Sequence, residues 1–295
     1  MVKKLEKELG FTIFDRRKKP LTTTPKGEIY ISYIEECLEN EKMMKKRISS
    51  LGEKPSRELF IGGGSFLSFV VYPMACREIR RTIPDLSVRI DMGANGTIHN
   101  IKDKVSSGTL DLAISYTLDP LRFGSIPILE ERYYFTVRRD FPGAQRFTPY
   151  SVSLEDVVSG KTYVPKHGYC VPLDLPLLRT MSLPSMNLDA YISDFPQANL
   201  NISNMRSGEM YYELMLQGLG VDISSDLIIA EKKEKSQNVL FIPIELPYGK
   251  RVASFIYKKG AELSENAVEF IKIVKSFCKD KNSFYKLLDN RYHII

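Results

Sequence analysis

The sequence lacks the features that mark a membrane-spanning or a secreted protein. No run of about 18 consecutive apolar residues occurs, which is the length that a transmembrane helix needs. The first residues are charged and periodic. They contain no apolar stretch followed by a small-residue cleavage site, as a secretory signal would. These absences lead us to expect a cytoplasmic protein.

Cysteine and histidine are also scarce, and their positions argue against a metal site. The four cysteines, Cys37, Cys76, Cys170 and Cys278, are far apart and form no CxxC pair, so we expect reduced, mostly buried thiols. The three histidines are equally dispersed. His167 and Cys170 have a spacing that could place two ligands, but no neighbouring residue completes the set that zinc requires. We therefore expect neither a metal nor another cofactor.

The common catalytic motifs are missing as well. The stretch at residues 63–67 begins like a nucleophile elbow, but Leu67 stands where the closing glycine belongs. No phosphate-binding P-loop and no GxGxxG occur. Asp111 lies within an apolar strand, so burial with a hydrogen-bonded partner explains it better than acid–base chemistry. Because no acid and base converge, we do not expect an enzyme.

What the sequence does contain is positive charge at one end. The 295 residues suggest about two domains, and 43% hydrophobic with 26% charged residues is ordinary for a globular protein. Residues 1–26 hold eight basic and three acidic side chains, which leaves +5 of the total net charge of +6. Either this is a solvated basic face, or it contacts the phosphates of a nucleic acid.

The first residues follow the order of a winged helix. Val2, Leu5 and Leu9 have the spacing of one helix face, and Gly10 follows as a C-cap would. Next come a short strand, a basic run, a proline turn and a second short strand, at residues 11–14, 16–19, 20 and 21–24. This order predicts the second half of a winged helix-turn-helix.

A second helical segment begins at Pro25 and runs to about Leu51. Its apolar residues alternate at spacings of four and three, which is a heptad pattern. A coiled-coil dimer seam and a single amphipathic helix on its own domain both fit this pattern. The predicted seam residues are Tyr30, Ile34, Cys37, Met44 and Ile48. Residues 52–56 then break the helix and mark a domain boundary.

From Arg57 onward short apolar strands alternate with helices, which predicts an α/β fold with right-handed crossovers. The run at residues 110–115 is almost continuously apolar, as in a parallel strand covered on both faces. The predicted strands and helices lie at residues 58–61, 67–82, 86–92, 98–106 and 110–115.

In such sheets, ligands bind beyond the carboxyl ends of the strands. A glycine-rich turn before a helix exposes backbone N–H groups, and Ser65 adds a hydroxyl, so a small anion or carboxylate is the favoured ligand. The alternative is that the glycines only permit a tight turn. The candidate effector-binding residues of these three turns are Gly64, Ser65, Phe66, Asn95, Gly96, Thr97, Tyr116 and Thr117.

Both parts of the chain resemble LysR-type transcriptional regulators. The N-terminal segment is similar to the end of their recognition helix and their wing. The matching residues are Leu5, Glu6, Leu9, Gly10, Phe14, Arg16, Leu21, Thr22 and Gly27. The rest resembles their effector-binding region at residues 59–62, 83–85, 107–114 and 217–221. The family normally has further helices upstream, so the chain is expected to begin inside its recognition helix.

The resemblance implies a type 2 periplasmic-binding-protein fold with two lobes. We expect a partial winged helix-turn-helix at 1–26, a linker helix at 27–52 and an effector-binding domain at 57–295. Lobe I would hold residues 57–161 and 257–295, and lobe II residues 162–256. By position in that fold, further effector-binding residues are expected in lobe II at Gly168, Cys170, Asn204, Met205 and Arg206.

The implied function is DNA-binding regulation by a homodimer or homotetramer that senses a small metabolite. The alternative is a stand-alone cytoplasmic binding module, or a dimerisation decoy without DNA binding. We expect Ser65→Ala and Arg206→Ala to weaken effector binding without changing the melting profile of the ligand-free protein. The expected contacts to double-stranded DNA are Lys3, Lys4, Lys7, Arg16, Arg17, Lys18 and Lys19.

Overall fold

The chain divides into two compact units, Met1–Ser56 and Arg57–Ile295. The computed structural model describes residues 2–17, 20–49, 58–92, 98–116, 118–159, 175–178, 208–244, 249–280, 284–285 and 288. None of the helices within these ranges combines the length and the hydropathy that crossing a bilayer requires.

The first unit consists of two helices with a β-hairpin between them, in the order that the sequence predicted. Helix α1 (Val2–Leu9) precedes strands β1 (Phe14–Asp15) and β2 (Thr22–Thr23), which pair antiparallel, and helix α2 (Pro25–Ser49) follows. Thr24 accepts the N–H of Gly27 through its hydroxyl, at 2.9 Å, and so caps the start of α2.

A buried carboxylate joins α1 to the hairpin. Glu6 accepts hydrogen bonds from the N–H groups of Ile13 (2.7 Å) and Phe14 (3.2 Å), and its second oxygen pairs with Arg16 at 2.8 Å. Burial opposes ionisation of Glu6, but these donors outweigh it and lower the pKa of the carboxyl. Glu6, Phe14 and Arg16, which are among the residues that carry the family resemblance, therefore hold α1 and the hairpin together.

A glycine is required where α2 crosses the hairpin. A Cβ on Gly27 would lie 2.1 Å from the carbonyl oxygen of Ile13, so any side chain would collide with backbone. Close by, the rings of Phe11 and Tyr30 meet edge to face, with centroids 6.1 Å apart. The start of α2 thus packs against the residues that join α1 to the hairpin.

Several apolar side chains of α2 face solvent. Of the predicted seam residues, Tyr30 and Ile34 are half-buried in the first unit, whereas Cys37 and Met44 are exposed. The side chain of Ile48 lies outside the described residues. Among the described residues of α2, the most exposed apolar side chains are Ile29 (74%) and Tyr33 (60%), which lie on a face next to the predicted heptad seam.

In the described part of the second unit, seven strands form one mixed sheet. Strand β3 pairs in parallel with β4 and β5, as the apolar runs predicted. The sheet order is β4-β3-β5-β9-β6-β7, and β8 also pairs with β6. The strands are β3 (Glu58–Gly62), β4 (Ser87–Asp91), β5 (Leu112–Ser115), β6 (Phe123–Arg138), β7 (Asp222–Ser225), β8 (Val239–Pro243) and β9 (Lys250–Lys258).

Helices cover the sheet. Among the residues that the structure describes, the α-helices are α3 (Phe66–Thr82), α4 (Ile98–Ser106), α5 (Leu154–Val158), α6 (Gly208–Leu216), α7 (Asp226–Glu231) and α8 (Glu265–Phe277). Helices α3 and α8 pack together on the first part of the sheet, where the rings of Tyr72 and Phe270 are 5.8 Å apart. The first three predicted strands and the helices between them agree with β3, α3, β4, α4 and β5 to within two residues.

Strand β6 runs through both lobes. Its first ten residues, up to Arg132, pair with β9, whereas residues from Tyr133 onward pair with β7 and β8. The buried residues from Tyr133 to Val157 pack in two hydrophobic cores, which we call the second lobe, whereas Val158 packs against the core of the first. Strand β9 packs in the first. The change of lobe falls inside an unbroken strand, so no turn signal marked it.

Candidate effector site and strand crossing

The turn between β3 and α3 combines close packing with a helix cap. A Cβ on Gly63 would lie 2.6 Å from the Ser68 hydroxyl, and the φ of 148° at Gly63 also favours glycine. Ser65 is the N-cap of α3 and accepts the N–H of Ser68 at 3.3 Å. Gly63 is thus needed for the turn, and the turn presents the start of a 17-residue helix at the carboxyl end of β3.

Two of the predicted effector-binding residues have their side chains in other contacts. Phe66 packs against the cores of both lobes. Tyr116, directly after β5, donates its hydroxyl to Oε1 of Glu131 on β6. Ser65 is half-buried and Gly64 is exposed, so these two remain the accessible part of the turn.

A buried ion pair lies near the end of the pairing of β6 with β9, next to the point where β6 enters the second lobe. Glu131 and Arg251 are direct partners in the antiparallel ladder, and Nη2 of Arg251 lies 3.6 Å from Oε2 of Glu131. Tyr133 donates its hydroxyl to the same oxygen at 3.0 Å and accepts a hydrogen bond from Arg251. We call Tyr116, Glu131, Tyr133 and Arg251 the crossing cluster.

The guanidinium of Arg251 lies between two aromatic rings. Its central carbon is 3.9 Å from the ring centroid of Tyr116 and 4.6 Å from that of Tyr133. Both distances are well within the range of cation–π attraction, which is stronger when the groups are removed from water. Arg251 therefore binds the two tyrosines and the carboxylate at once.

Burial dominates the electrostatics of the crossing cluster. It raises the pKa of Glu131, which is only 2% exposed, while the charge of Arg251 and the hydroxyl of Tyr116 act in the opposite direction. Asp226, at the start of α7, adds a like charge that also raises the pKa of Glu131. Burial and the neighbouring Glu131 carboxylate raise the pKa of Tyr116 far above its usual value.

The opposite face of the same strands is polar and partly solvated. Glu130 pairs with Arg132 at 3.0 Å and with Lys250 at 3.2 Å. These side chains are one residue away from Glu131 and Arg251, so they point to the other side of the sheet. Glu130 thus offers a matched comparison for the buried Glu131.

The family of the chain follows from comparison with known proteins. A family model described as the LysR substrate binding domain matches residues 52–279, which is most of the chain. The chain belongs to the LysR family. The crossing cluster and the β3–α3 turn both lie within the matched LysR domain.

Curated relatives carry the names of regulators. The hydrogen peroxide-inducible genes activator of Pectobacterium carotovorum is 22% identical over 263 residues, covering 89% of this chain and 80% of that protein. The DNA-binding transcriptional dual regulator OxyR of Escherichia coli is 21% identical and covers 93% of this chain and 84% of that protein.

Solved structures share the fold of this LysR chain at low identity. An OxyR C206 mutant of Corynebacterium glutamicum has a TM-score of 0.53 at 16% identity, over 97% of this chain and 83% of that one. CbnR, a LysR family transcriptional regulator, also has a TM-score of 0.53 at 16% identity, over 95% and 88% of the two chains.

Several expected LysR effector residues lie outside the described part of the chain, and their placement stays a prediction. They are Asn95, Gly96, Thr97, Thr117, Gly168, Cys170, Asn204, Met205 and Arg206. Of the thiols that the structure describes, Cys37 is exposed, Cys76 is half-buried and Cys278 is buried. Burial raises the pKa of Cys278 to about 12.

The basic residues of the first unit lie mostly on its surface. Lys3, Lys4 and Lys7 are exposed on α1, and the side chain of Arg17 is 92% exposed beside its partner Asp15. Arg16, also expected to contact DNA, has its guanidinium on Glu6. Lys18 and Lys19 are outside the described residues.

Three of the four residues of the crossing cluster, Glu131, Tyr133 and Arg251, were not predicted from the sequence. Glu131 follows Glu130 and precedes Arg132, and such a charged run usually marks a solvated face. Its partner Arg251 is 120 positions away along the chain. One signal was available, and it is the one used for Asp111: a charged residue within an apolar strand pattern requires a partner. For Asp111 the expected hydrogen-bonded partner is confirmed, because its carboxylate accepts the N–H of Phe60 at 2.8 Å, but the residue is half-buried and directly precedes β5.

Proposed function

We propose that this chain is a DNA-binding transcriptional regulator controlled by a small molecule, located in the cytoplasm and without enzymatic activity. One observation carries the proposal: a LysR substrate-binding domain at residues 52–279 is joined to a basic helix–hairpin unit. The relatives named as regulators support it.

The surface of the first unit supports contact with DNA phosphates. Lys3, Lys4 and Lys7 occupy neighbouring exposed positions on α1, and Arg17 extends from the hairpin. Cationic side chains on an exposed helix and wing neutralise phosphates and release counterions, which makes binding salt-dependent. Arg16 has a different role, because its pairing with Glu6 fixes the hairpin on α1.

The second unit supports small-molecule binding between its lobes. Strands β3 and β5 end at the same edge of the sheet because they are parallel, and ligands of α/β sheets bind at such edges. There the exposed Gly64 and the half-buried Ser65 precede the N-terminus of α3. This arrangement favours a small anionic effector such as a carboxylate.

The exposed apolar residues of α2 support self-association into a homodimer or homotetramer. Ile29, Tyr33, Leu38 and Met44 are each at least 47% exposed. Exposing this many aromatic and aliphatic side chains on one helix is unfavourable in free energy. A second copy of the same helix can cover them.

A salt titration tests the proposal. Binding of the full chain to a mixed-sequence DNA duplex is followed by fluorescence anisotropy as the salt concentration is raised. Replacing Lys7 and Arg17 together by alanine should weaken binding and reduce the slope of log K against log salt by about 2, since each phosphate contact contributes about 0.9.

Lys272→Ala is the control, because Lys272 is an exposed lysine of α8 in the second unit. It should leave the slope unchanged. A wild-type chain that dimerises but has no affinity for DNA at low salt would overturn the proposal and favour a stand-alone binding module or a dimerisation decoy.

A further inference from the structure

The crossing cluster belongs to both lobes at once. Tyr116 packs on the core of the first lobe, whereas Tyr133 is part of a core of the second. Arg251 touches the rings of both, and Glu131 accepts the hydroxyls of both. The four side chains therefore connect the lobes directly, in addition to the covalent strands.

The backbone places Tyr133 at the point of crossing. Pairing of β6 with β9 ends at Arg132, and Tyr133 is paired with Ser225 of β7 in the second lobe. Its N–H donates to the carbonyl of Gly249 at 2.8 Å, and its carbonyl accepts the N–H of Ile244 at 3.3 Å. Tyr133 of β6 thus hydrogen-bonds both to the residue that follows β8 and to the residue that precedes β9.

Tyr116 connects the change of lobe in β6 to the edge of the sheet at which the parallel strands β3 and β5 end. It directly follows Ser115, the last residue of β5, and Ser115 is paired with Ser254 on β9. A displacement of the backbone at the end of β5 therefore moves the Tyr116 hydroxyl relative to Glu131. Because Glu131 is buried, the loss of one of its two hydroxyl donors destabilises the whole cluster.

We propose that the crossing cluster is a latch that fixes the angle between the lobes, and that Tyr116 couples the carboxyl end of β5 to this latch. Tyr116 acts as a positioning residue rather than as a ligand contact. The coupling of Tyr116 to an effector rests on the proposed function. The latch itself does not, and it can be tested without any ligand or DNA.

Hydrogen–deuterium exchange of the full chain tests the latch. Tyr116→Phe removes the hydroxyl and keeps the ring over Arg251. The amides of Tyr133 and Ile244, which bridge the crossing, should exchange about tenfold faster, as loss of a hydrogen bond to a charged group implies. The amide of Asp111, which donates to Phe60 inside the first lobe, should keep its rate.

Tyr257→Phe is the matched control, because Tyr257 lies on β9 at the end remote from Arg251. Exchange at Tyr133 and Ile244 that equals wild type in Tyr116→Phe would overturn the latch. So would an equal acceleration at Asp111, since that indicates general destabilisation. If Tyr116→Phe fails to fold, Glu131→Gln is compared with Glu130→Gln, and only the former should accelerate the crossing amides.

A distance measurement tests the angle itself. Nitroxide amino acids placed at the exposed Val268 of α8 and at the exposed Tyr150 of the second lobe report the separation of the lobes by double electron–electron resonance. Labelled chains are diluted with unlabelled ones so that only distances within a chain contribute. Tyr116→Phe should broaden or shift the distance distribution, and an unchanged distribution contradicts the proposal.

Discussion

Removing Arg251 should destabilise the effector domain strongly, because the Glu131 carboxylate would remain buried without its counterion. Arg251→Met keeps much of the side-chain volume. At the observed 3.6 Å, the Coulomb attraction of the pair at an effective dielectric constant of about 20 is roughly 4–5 kcal/mol. Breaking a buried pair typically costs about 3–5 kcal/mol. We expect a loss of that size.

The assay is urea unfolding of the full chain, followed by near-ultraviolet circular dichroism of the tyrosines. Glu131→Gln in the Arg251→Met background should recover most of the loss, because the buried charge is then gone. Lys250→Met and Glu130→Gln form a control cycle on the partly solvated face, where coupling should not exceed about 1 kcal/mol. A loss below about 1 kcal/mol in Arg251→Met, or costs that simply add in the double variant, would refute the reasoning.

The same variant should respond to pH in a definite direction. Burial raises the pKa of Glu131 in the folded protein. Ionisation of this carboxyl therefore lowers the free energy of unfolding as the pH rises from the ordinary pKa of glutamate through the raised pKa. Without Arg251, which lowers that pKa in the wild type, the cost above the folded pKa is larger. Arg251→Met should therefore be closest to wild type in acid and farthest from it near neutral pH. When both proteins also carry Glu131→Gln, the pH dependence of the difference between them should disappear.

Three further predictions concern other parts of the chain. Gly27→Ala places a Cβ 2.1 Å from the carbonyl oxygen of Ile13, so it should destabilise the first unit by at least about 1–3 kcal/mol, seen as earlier loss of its helical signal on heating. Ser65→Ala removes an N-cap and should cost about 1 kcal/mol in urea unfolding, whereas Ser65→Gly should cost only a few tenths. Replacing Ile29 and Tyr33 by glutamate should shift sedimenting species toward the monomer, and an unchanged sedimentation profile would exclude this face as the seam.

The Ser65 prediction corrects an expectation drawn from the sequence. We expected Ser65→Ala to leave the ligand-free melting profile unchanged, because the hydroxyl was assigned to a ligand alone. The structure shows the hydroxyl accepting the N–H of Ser68, so its removal affects the helix itself. Ser65→Gly is the better variant for binding studies.

Local patterns predicted the elements of the first lobe well. The apolar runs of β3 and β5 and the helical spacing of α3 arise from one-sided or two-sided burial, which is visible in a short window of sequence. The hydrogen-bonded partner of Asp111 was predicted for the same reason: a charge beside an apolar run needs a partner, and the N–H of Phe60 supplies it. These features depend on neighbours in the chain.

Features that depend on distant parts of the chain were not predictable in this way. The change of lobe falls inside β6, an unbroken strand, where neither glycine nor a turn marks the crossing from Arg132 to Tyr133. The pairing of Glu131 with Arg251 joins strands that are far apart in sequence. For Tyr116 the position beyond β5 was right, but the orientation of its side chain depended on that unseen pair.

A thermal-shift screen combined with measurements of DNA affinity tests the central claim. The claim is that a small molecule in the effector domain controls the DNA-binding unit. A panel of amino acids, dicarboxylates and aromatic carboxylates is tested on the full chain. At 100 times its Kd a ligand stabilises the native state by about 2.7 kcal/mol, which raises the Tm of a domain of this size by roughly 5–10 °C. We predict that at least one carboxylate does so, less in Ser65→Gly, and changes the affinity for DNA. A compound that stabilises both proteins equally and leaves DNA binding unchanged would contradict the account.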